Sequence, residues 1–453
     1  MSRPLFPHIP WSGDGNGPRI LGINPWITDF AAFNLWSRPV GLLACLDMVR
    51  SAGASVALLD CLDRTWDDVS WPTPNKYGGG HYPKEELELP EALNFMDRRF
   101  SRYGLPRDMV REAMAGLDPV PDIVMVTSIM TYWYPGALDI LDIAAELWPD
   151  TPRVLGGTYA TLCTDHARIH ANVDLITQGS LESPENWAAF WNLLGQPVPE
   201  LPENAGFGLA LDLYNDPTHA PILGSRGCPF QCDYCASHAL HPGFTQGSPN
   251  AIITAIQSEY ARGVRDFAFF DDALLVNPDR WLWPTLDAIK AQGLGLRLHT
   301  PNAIHVRRLT KDVCHRLKQA GLTTVRLGLE TTDFDNRHDV KLTQKEWEDG
   351  AHNLLEAGFD LDDVGVYILF GLPNQDLDNV ENGVRHVRSF GFRPHITQYT
   401  PIPGSPMFET AEKASPYPLR DEPLYQNNSI WPCVPGGFSW AEAKRWKRLM
   451  QGK

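Results

Sequence analysis

Two α/β units are predicted for this chain, a doubly wound parallel sheet followed by an incomplete barrel of six βα units. Three observations carry that expectation. Short apolar runs alternate with helix-period stretches in two separate blocks, the pattern of parallel sheets covered by helices. A stretch rich in Pro, Gly and Asn at 196–217 divides the blocks and reads as a linker. With 453 residues, the chain is long enough for two or three domains with buried cores.

The first block, 1–195, reads as Rossmann-like. After a Gly/Pro-rich leader comes the strand Arg19–Asn24, then a helix over Val40–Ala52 with Leu42, Leu43, Leu46 and Val49 on one face. Strands follow at Ser55–Leu59, Asp122–Thr127, Arg153–Gly156 and Val173–Thr177, with a helix at Ala137–Leu147. An insertion at 64–116 is far longer than an ordinary connection. It holds Tyr77-Gly78-Gly79-Gly80-His81-Tyr82 and then an acidic stretch expected to be helical. Such an insertion is either a surface excursion or a lid.

The second block, 218–410, offers strands at Pro221–Ser225, Asp266–Asp271, Leu296–Thr300, Thr324–Glu330, Val364–Phe370 and Ile396–Thr400. Amphipathic helices fit between them at Pro249–Arg262, Asp279–Gln292, Thr310–Ala320, Gln344–Ala357 and Asp376–Phe390. Six such units curl into a partial (β/α)6 barrel, whose sites lie at the C-terminal ends of the strands. Residues 411–453 form a C-terminal extension.

Charge narrows the partners. Lys plus Arg number 39 against 55 Asp plus Glu, a net charge of −16. An acidic chain of this kind argues against nucleic acid and anionic membranes. No apolar run reaches the roughly 20 residues that span a bilayer. Met1–His8 lack an apolar signal core, so the expected location is cytoplasmic. Eight cysteines are too few for a disulfide scaffold.

Three of them sit in Gly224-Ser225-Arg226-Gly227-Cys228-Pro229-Phe230-Gln231-Cys232-Asp233-Tyr234-Cys235, directly after the first strand of the second block. Random placement would give this CxxxCxxC spacing about 0.003 times in such a chain. Three soft thiolates suit an iron–sulfur cluster or zinc. Zinc wants a fourth ligand, for which His238 or His241 is near enough in sequence. The segment resembles the motif of the radical S-adenosylmethionine (SAM) superfamily, matching Cys228, Cys232 and Cys235 one for one and Tyr234 as the aromatic before the last cysteine. That resemblance implies a 4Fe–4S cluster with one open iron that chelates SAM, and reductive cleavage of SAM to a 5′-deoxyadenosyl radical.

Further landmarks occur in the family's order over about Pro221–Met407. Phe269-Phe270-Asp271-Asp272 ends the second barrel strand, where the resemblance puts acidic groups near the methionine amine. Asn302 follows the third strand. Glu330 ends the fourth, a place for polar contacts to SAM, and Gly371 ends the fifth, in a glycine-containing adenine segment. Pro401–Pro406 follows the sixth. Alternation adds a reading independent of the family, because residues two apart share a strand face. Arg326, Gly328 and Glu330 share one face and Val325, Leu327 and Leu329 the other, while Arg297 and His299 alternate with Leu296 and Leu298. The polar sets either line a ligand-binding lumen or form a salt-bridge network that satisfies itself.

A Rossmann-like domain ahead of this barrel resembles the cobalamin-binding subgroup of the superfamily. Gly156, Gly157 and Thr158 match its paired glycines after the fourth strand. Ser128 lies in the small polar loop after the third, and Gly179 in the turn after the fifth. The Asp-x-His-x-x-Gly motif that supplies a cobalt-ligating histidine is absent, with Asn24-Pro25-Trp26-Ile27-Thr28-Asp29 in its place. The aromatic run after Ser128 nominates Tyr132 or Tyr134 to ligate cobalt or cap the corrin's lower face, against plain hydrophobic packing. Trp26, Trp36 and Trp133 invite a corrin-stacking role but are more ordinarily structural.

The resemblance therefore implies three cofactors: the cluster, SAM and cobalamin. It further implies an external one-electron reductant of flavodoxin or ferredoxin type, a small-molecule or peptide substrate, and methyl transfer to an unactivated carbon. Alternative outcomes are radical rearrangement, cyclisation or oxidation without methyl transfer, or a non-catalytic iron–sulfur or corrinoid-binding module.

Overall fold

The structure, a computed structural model, describes residues 9–66, 69–215, 217–339 and 342–452. The chain divides into two units, one running to Thr218 and including Asp421–Leu424, the other comprising His219–Arg420 and the residues from Tyr425 onward.

In the first unit, β1 (Arg19–Asn24), β2 (Ser55–Asp60), β3 (Ile123–Ser128), β4 (Arg153–Gly157) and β5 (Leu175–Ile176) form a parallel sheet in the order β2-β1-β3-β4-β5. Apolar runs buried along their whole length, as in Ile123–Ser128, are what a sheet covered on both faces requires. The helix Val40–Ser51 packs Leu42, Leu43, Leu46 and Val49 inward, as their spacing predicts. This strand order reverses between β1 and β3, and doubly wound sheets bind ligands beyond the C-terminal strand ends near such a reversal. Here that crevice is filled by the protein. Gly136 approaches Trp26 so closely that an added Cβ would lie 2.3 Å from the Trp26 carbonyl oxygen.

The insertion departs from expectation. Its acidic stretch is not helical: Lys84–Leu87 is a strand, paired antiparallel with Phe100–Tyr103, which also pairs with Ile27–Asp29. Pro83 and Pro90 bracket the stretch and disfavour a helix across it, while Glu85 pairs with Arg102 across the ladder at 2.9 Å. The segment read as a linker is laid along the first unit. Ala210 N–H donates to the Leu43 carbonyl, the Tyr214 hydroxyl donates to Asp60 Oδ2 at 2.6 Å, and Arg38 lies over the Tyr214 ring.

In the second unit, β6 (Ala220–Ile222), β7 (Asp266–Phe269), β8 (Arg297–His299), β9 (Leu322–Glu330), β10 (Val364–Phe370) and β11 (Arg393–Gln398) pair in sequence order, all parallel. The five predicted helices connect them, at Pro249–Ala261, Leu282–Ala291, Lys311–Gln319, Gln344–Glu356 and Leu377–Ser389. Their starts are chemically marked: Thr343 and Glu346 form a reciprocal capping box, and Thr310 and Asp376 accept from backbone N–H groups. An open barrel leaves a free edge on β11. The C-terminal helix Trp440–Gln451 lies beside it, with Met450 Sδ accepting from Ile396 N–H and the Met450 carbonyl accepting from Arg388.

Along β9, Val325, Leu327 and Leu329 are fully buried while Arg326, Gly328 and Glu330 are only half-buried. The alternation read from sequence thus divides helix-facing from lumen-facing positions. At the base of the barrel the second polar set closes on itself. Asp266 Oδ1 accepts from Arg297 Nε at 2.6 Å and bonds to His299 Nε2 at 2.9 Å, and His299 Nδ1 meets Thr324 Oγ1. Burial pushes the Asp266 carboxyl up, but the His299 and Arg297 hydrogen bonds outweigh it and leave it below its ordinary value. Burial likewise holds His299 below the usual imidazole value, against the pull of Asp266.

Both shifts mean that the unfolded chain binds protons more readily than the folded one. Stability is therefore fully present above about pH 6.5 and declines as His299 and then Asp266 come under protonating pressure. Denaturant midpoints measured between pH 7 and pH 4 are expected to fall, and to fall more steeply in Asp266→Ala, where His299 loses the group that supports its protonated form; the variant is itself destabilised by about 2–3 kcal/mol at pH 7.

Candidate active site

Beyond β6 the chain leaves the sheet at the C-terminal end of the barrel and runs through Cys228, Cys232 and Cys235. The short antiparallel pair Ser225–Arg226 and Thr245–Gln246 frames the start of this loop. Gly227 takes a left-handed backbone with φ 78°, and a Cβ there would sit 2.1 Å from the Gly243 carbonyl oxygen. Cys228 and Cys232 are buried, Cys228 among Ala273, Val276, Phe230 and Phe244. Cys235 is half-buried, and its sulfur meets the Ser237 backbone N–H at 3.4 Å and hydroxyl at 3.1 Å. None of the eight cysteines forms a disulfide. Cys314 and Cys433 are buried in the barrel unit and Cys163 in the first unit.

His238 and His241, the two histidines within reach of a zinc reading, face other partners. His238 Nε2 bonds to the Phe230 carbonyl at 3.0 Å, and His241 Nδ1 lies 3.4 Å from Arg226. Among the described residues no three His, Cys, Asp or Glu groups are gathered as around a single ion. The donor set at the loop is three thiols in an apolar and backbone-rich setting, with N–H and O–H donors aimed at one sulfur. That chemistry fits a thiolate-held iron–sulfur cluster, whose sulfurs are tuned by such hydrogen bonds.

The carboxyl of Asp271 does something the sequence did not suggest. It is buried, and Oδ1 accepts from the Ser225 hydroxyl at 2.6 Å and from the backbone around Gly224 and Ser225. Asp271 therefore fastens the entrance of the cysteine loop to the end of β7. Burial pushes it up to about 7, against those hydrogen bonds, and Oδ2 has no hydrogen-bond partner among the described residues. Asp272, next to it, is exposed. Asn302 bridges neighbouring strand ends by donating to the Phe270 carbonyl at 3.0 Å.

Tyr234 and Glu330 line one cavity of about 330 Å³, with Leu369, Leu372 and Gln375 on another wall. The Tyr234 hydroxyl donates to Asp339 Oδ2 at 2.9 Å, and Arg337 pairs with the same carboxylate at 2.9 Å. Glu330 occupies a left-handed backbone at φ 65°, unusual for a residue with a side chain, where the β9–β10 register shifts. Gly371 has φ 85°, and its N–H donates to Gln375 Oε1 at 2.7 Å while Gln375 Nε2 returns to the Leu369 carbonyl. Arg326 shares the Glu330 face but stands lower: its Nη1 reaches the Val325 and Asp363 carbonyls. Arg326 and Glu330, read as lining the lumen together, share that face but stand four positions apart along the strand.

In the first unit the predicted residues gather at the C-terminal ends of β3, β4 and β5. Gly157 is exposed at φ 90°, and a Cβ there would lie 2.7 Å from the Ser128 carbonyl oxygen. Gly156 faces Thr177, Gly179 N–H donates to Thr161 Oγ1, and Thr158 is half-exposed. Ser128 uses its hydroxyl locally, on the Met130 carbonyl. Tyr134 is not available as a metal ligand: its hydroxyl donates to Glu422 at 3.0 Å, and its ring stacks on Tyr159. Burial, then Glu422, pushes that phenol up, away from phenolate. Tyr132 is buried, edge-on to Trp133. The indole N–H groups of Trp26, Trp36 and Trp133 bond to Leu105 O, Tyr77 O and Asp29 Oδ2, which suits structural roles. Ile129, Gly157 and Gln178 are exposed at these strand ends, and Gly179 is half-exposed beside them.

Ser237, Arg337, Asp339 and Gln375 were missed in the sequence. Only Ser237, two residues past the last cysteine, carried a local signal. Because Gly227 has no room for a side chain, Gly227→Ala is expected to lose most iron on reconstitution while the barrel's circular dichroism is retained. Normal iron content would refute this account of the loop.

The Radical SAM superfamily profile matches residues 222–406. An uncharacterized methyltransferase of Pyrococcus horikoshii is 23% identical over 64% of this chain and 69% of its own length. The anaerobic magnesium-protoporphyrin IX monomethyl ester cyclase of Cereibacter sphaeroides is 25% identical over 64% of this chain and 53% of its own. Among solved structures, the radical S-adenosylmethionine methyltransferase TsrM from Kitasatospora setae, bound to tryptophan and a SAM analogue, aligns with TM-score 0.61 at 15% identity. That alignment covers 89% of this chain and 78% of that one, a likeness of fold across both units. The match lies where the cysteine loop and the six strands lie, so residues 222–406 of this chain carry a Radical SAM domain.

Proposed function

We propose that this chain is a cobalamin-dependent radical SAM methyltransferase acting on an unactivated carbon of a small molecule or peptide. One observation carries the reading. A CxxxCxxC loop at the mouth of an open parallel barrel shares a chain with a sheet of order 2-1-3-4-5 whose β3–β5 edge is open. The methyltransferase relatives by sequence and by fold support it.

When bound, a 4Fe–4S cluster on Cys228, Cys232 and Cys235 would supply an electron to SAM and so a carbon-centred radical, while cobalamin would supply a transferable methyl group. The residues of the chain then position and shield. Ser237 donates to the Cys235 sulfur, which favours its thiolate form. Asp271 fixes the loop entrance and Asn302 the adjoining strand ends. Glu330 and Asp376 face the cavity beside Tyr234, where carboxylates suit the cationic and hydroxyl-bearing groups of SAM. Gln375 lines the far wall, and its side chain pins the Gly371 turn by accepting from the Gly371 N–H. The Gly156–Gly157 turn, Thr158 and Gly179 border the surface for cobalamin. An external flavodoxin- or ferredoxin-type reductant supplies electrons. Among the described residues no helix is long and apolar enough to cross a membrane, and thiols outside disulfides suit the reducing cytoplasm.

The cyclase relative favours a second reading, radical cyclisation without methyl transfer. Anaerobic turnover with methyl-labelled SAM separates them. Label in product together with 5′-deoxyadenosine is the expected result, whereas 5′-deoxyadenosine with unlabelled product would favour cyclisation. Replacing Cys228, Cys232 and Cys235 with Ala is expected to abolish iron binding and SAM cleavage alike. Glu330→Gln is expected to weaken SAM binding about tenfold with iron content unchanged, measured by equilibrium dialysis.

A further inference from the structure

The inward faces of β9, β10 and β11 carry a group that the proposed chemistry leaves unused. Arg326 lies across from Gly365, and Tyr367 across from His395. Gly365 makes room for both neighbours: an added Cβ would fall 2.7 Å from the His395 ring and 3.0 Å from Arg326 Cδ. Arg326 is half-buried. Its Nη1 donates to two backbone carbonyls at 3.2 and 3.4 Å, and no carboxylate among the described residues pairs with it. Nearby arginines are treated differently. Arg297 is paired with Asp266, Arg393 with Asp362 and Arg337 with Asp339.

A guanidinium offers five N–H donors in a planar fork, and withdrawing one from water without a counter-charge is unfavourable. The Nε–Nη2 edge of Arg326 makes no hydrogen bond to a carboxylate in the described protein. Beside it, the Tyr367 hydroxyl donates to the Pro301 carbonyl and is itself met by the Arg326 guanidinium, a neutral partner that leaves the cation without a counter-charge. The half-buried His395 imidazole makes no hydrogen bond among the described residues, and burial with the nearby arginines holds it near 4, so it is neutral at physiological pH.

We propose that Arg326, flanked by Tyr367 and His395, is an anion subsite of the barrel lumen that takes a carboxylate of the substrate. The inference rests on the reading that this lumen receives the substrate. A single guanidinium fork matches a carboxylate, whereas a phosphate dianion calls for a second cation, and Arg393 is already paired. Arg326 stands four residues below Glu330 on one strand, roughly 13 Å at the usual rise per residue. A substrate anchored at Arg326 therefore extends toward the rim, where the cysteine loop lies.

Benzoate and its neutral counterpart benzamide serve as probes, titrated by saturation-transfer NMR into the full-length, cluster-reconstituted protein. Benzoate is expected to bind at least about tenfold more tightly than benzamide, and Arg326→Gln to remove that preference with SAM affinity unchanged. Arg326→Lys, which keeps the charge and loses the fork, is expected to fall between. Three results would overturn the proposal: no benzoate binding to the wild type, equal affinity for the two probes, or a preference retained in Arg326→Gln. A parallel loss of SAM affinity would also overturn it, assigning Arg326 to the carboxylate of SAM itself. Probe binding needs no turnover, so failure here is distinguishable from failure of the methyl-transfer reading.

Discussion

Everything at the candidate site depends on holding the cysteine loop, which has no regular structure between Arg226 and Ser237, in one conformation. The loop cannot do this alone, and four neighbours constrain it. Gly227 presses on the Gly243 carbonyl, and Asp271 fastens Ser225 to the end of β7. Asp233 accepts from Met407 N–H and donates its own N–H to the His338 carbonyl. Tyr234 is held by Asp339, which Arg337 holds in turn. The ties come from the segments after β6, β7, β9 and β11, so the loop's conformation depends on several βα units at once. Asp271 and Asp339 are both buried, where an unpaired carboxylate is unfavourable, so each bond fixes its partner firmly.

Legibility in the sequence followed the range of the determining interaction. β1 and β10 were readable to the residue because unbroken apolar runs between breakers leave one solution. The face of β9 was readable because alternation is a local property of a strand. Failures came where partners are distant. Lys84–Leu87 resembles a charged helix in isolation and becomes a strand because Phe100–Tyr103 supplies a ladder. Asp271 looked like a ligand contact, since nothing nearby in sequence announces that Ser225 will claim it. Arg326 and Glu330 were placed on the correct face, yet the shared face says nothing about height in the barrel. The cysteine spacing was the strongest signal, being both local and chemically restrictive.

The first unit shows how a familiar topology is adapted. The crevice between β1 and β3 is occupied by Trp26 and by the helix that carries Gly136. Glycines at the β3–β5 edge are required first by the strand ends themselves, Gly157 by Ser128 and Gly156 by Thr177. They leave a low rim there. Of the two tyrosines read from the aromatic run, Tyr134 is engaged by Glu422 and stacked on Tyr159, and Tyr132 is buried edge-on to Trp133.

The central claim is that three cysteines leave one iron of a cluster open to SAM, and electron–nuclear double resonance on the reduced, reconstituted protein addresses it directly. With SAM labelled at its methionine nitrogen and carboxylate, hyperfine coupling from both labels to the cluster is predicted. Reduced cluster signals indifferent to SAM, with no coupling to either label, would contradict the account.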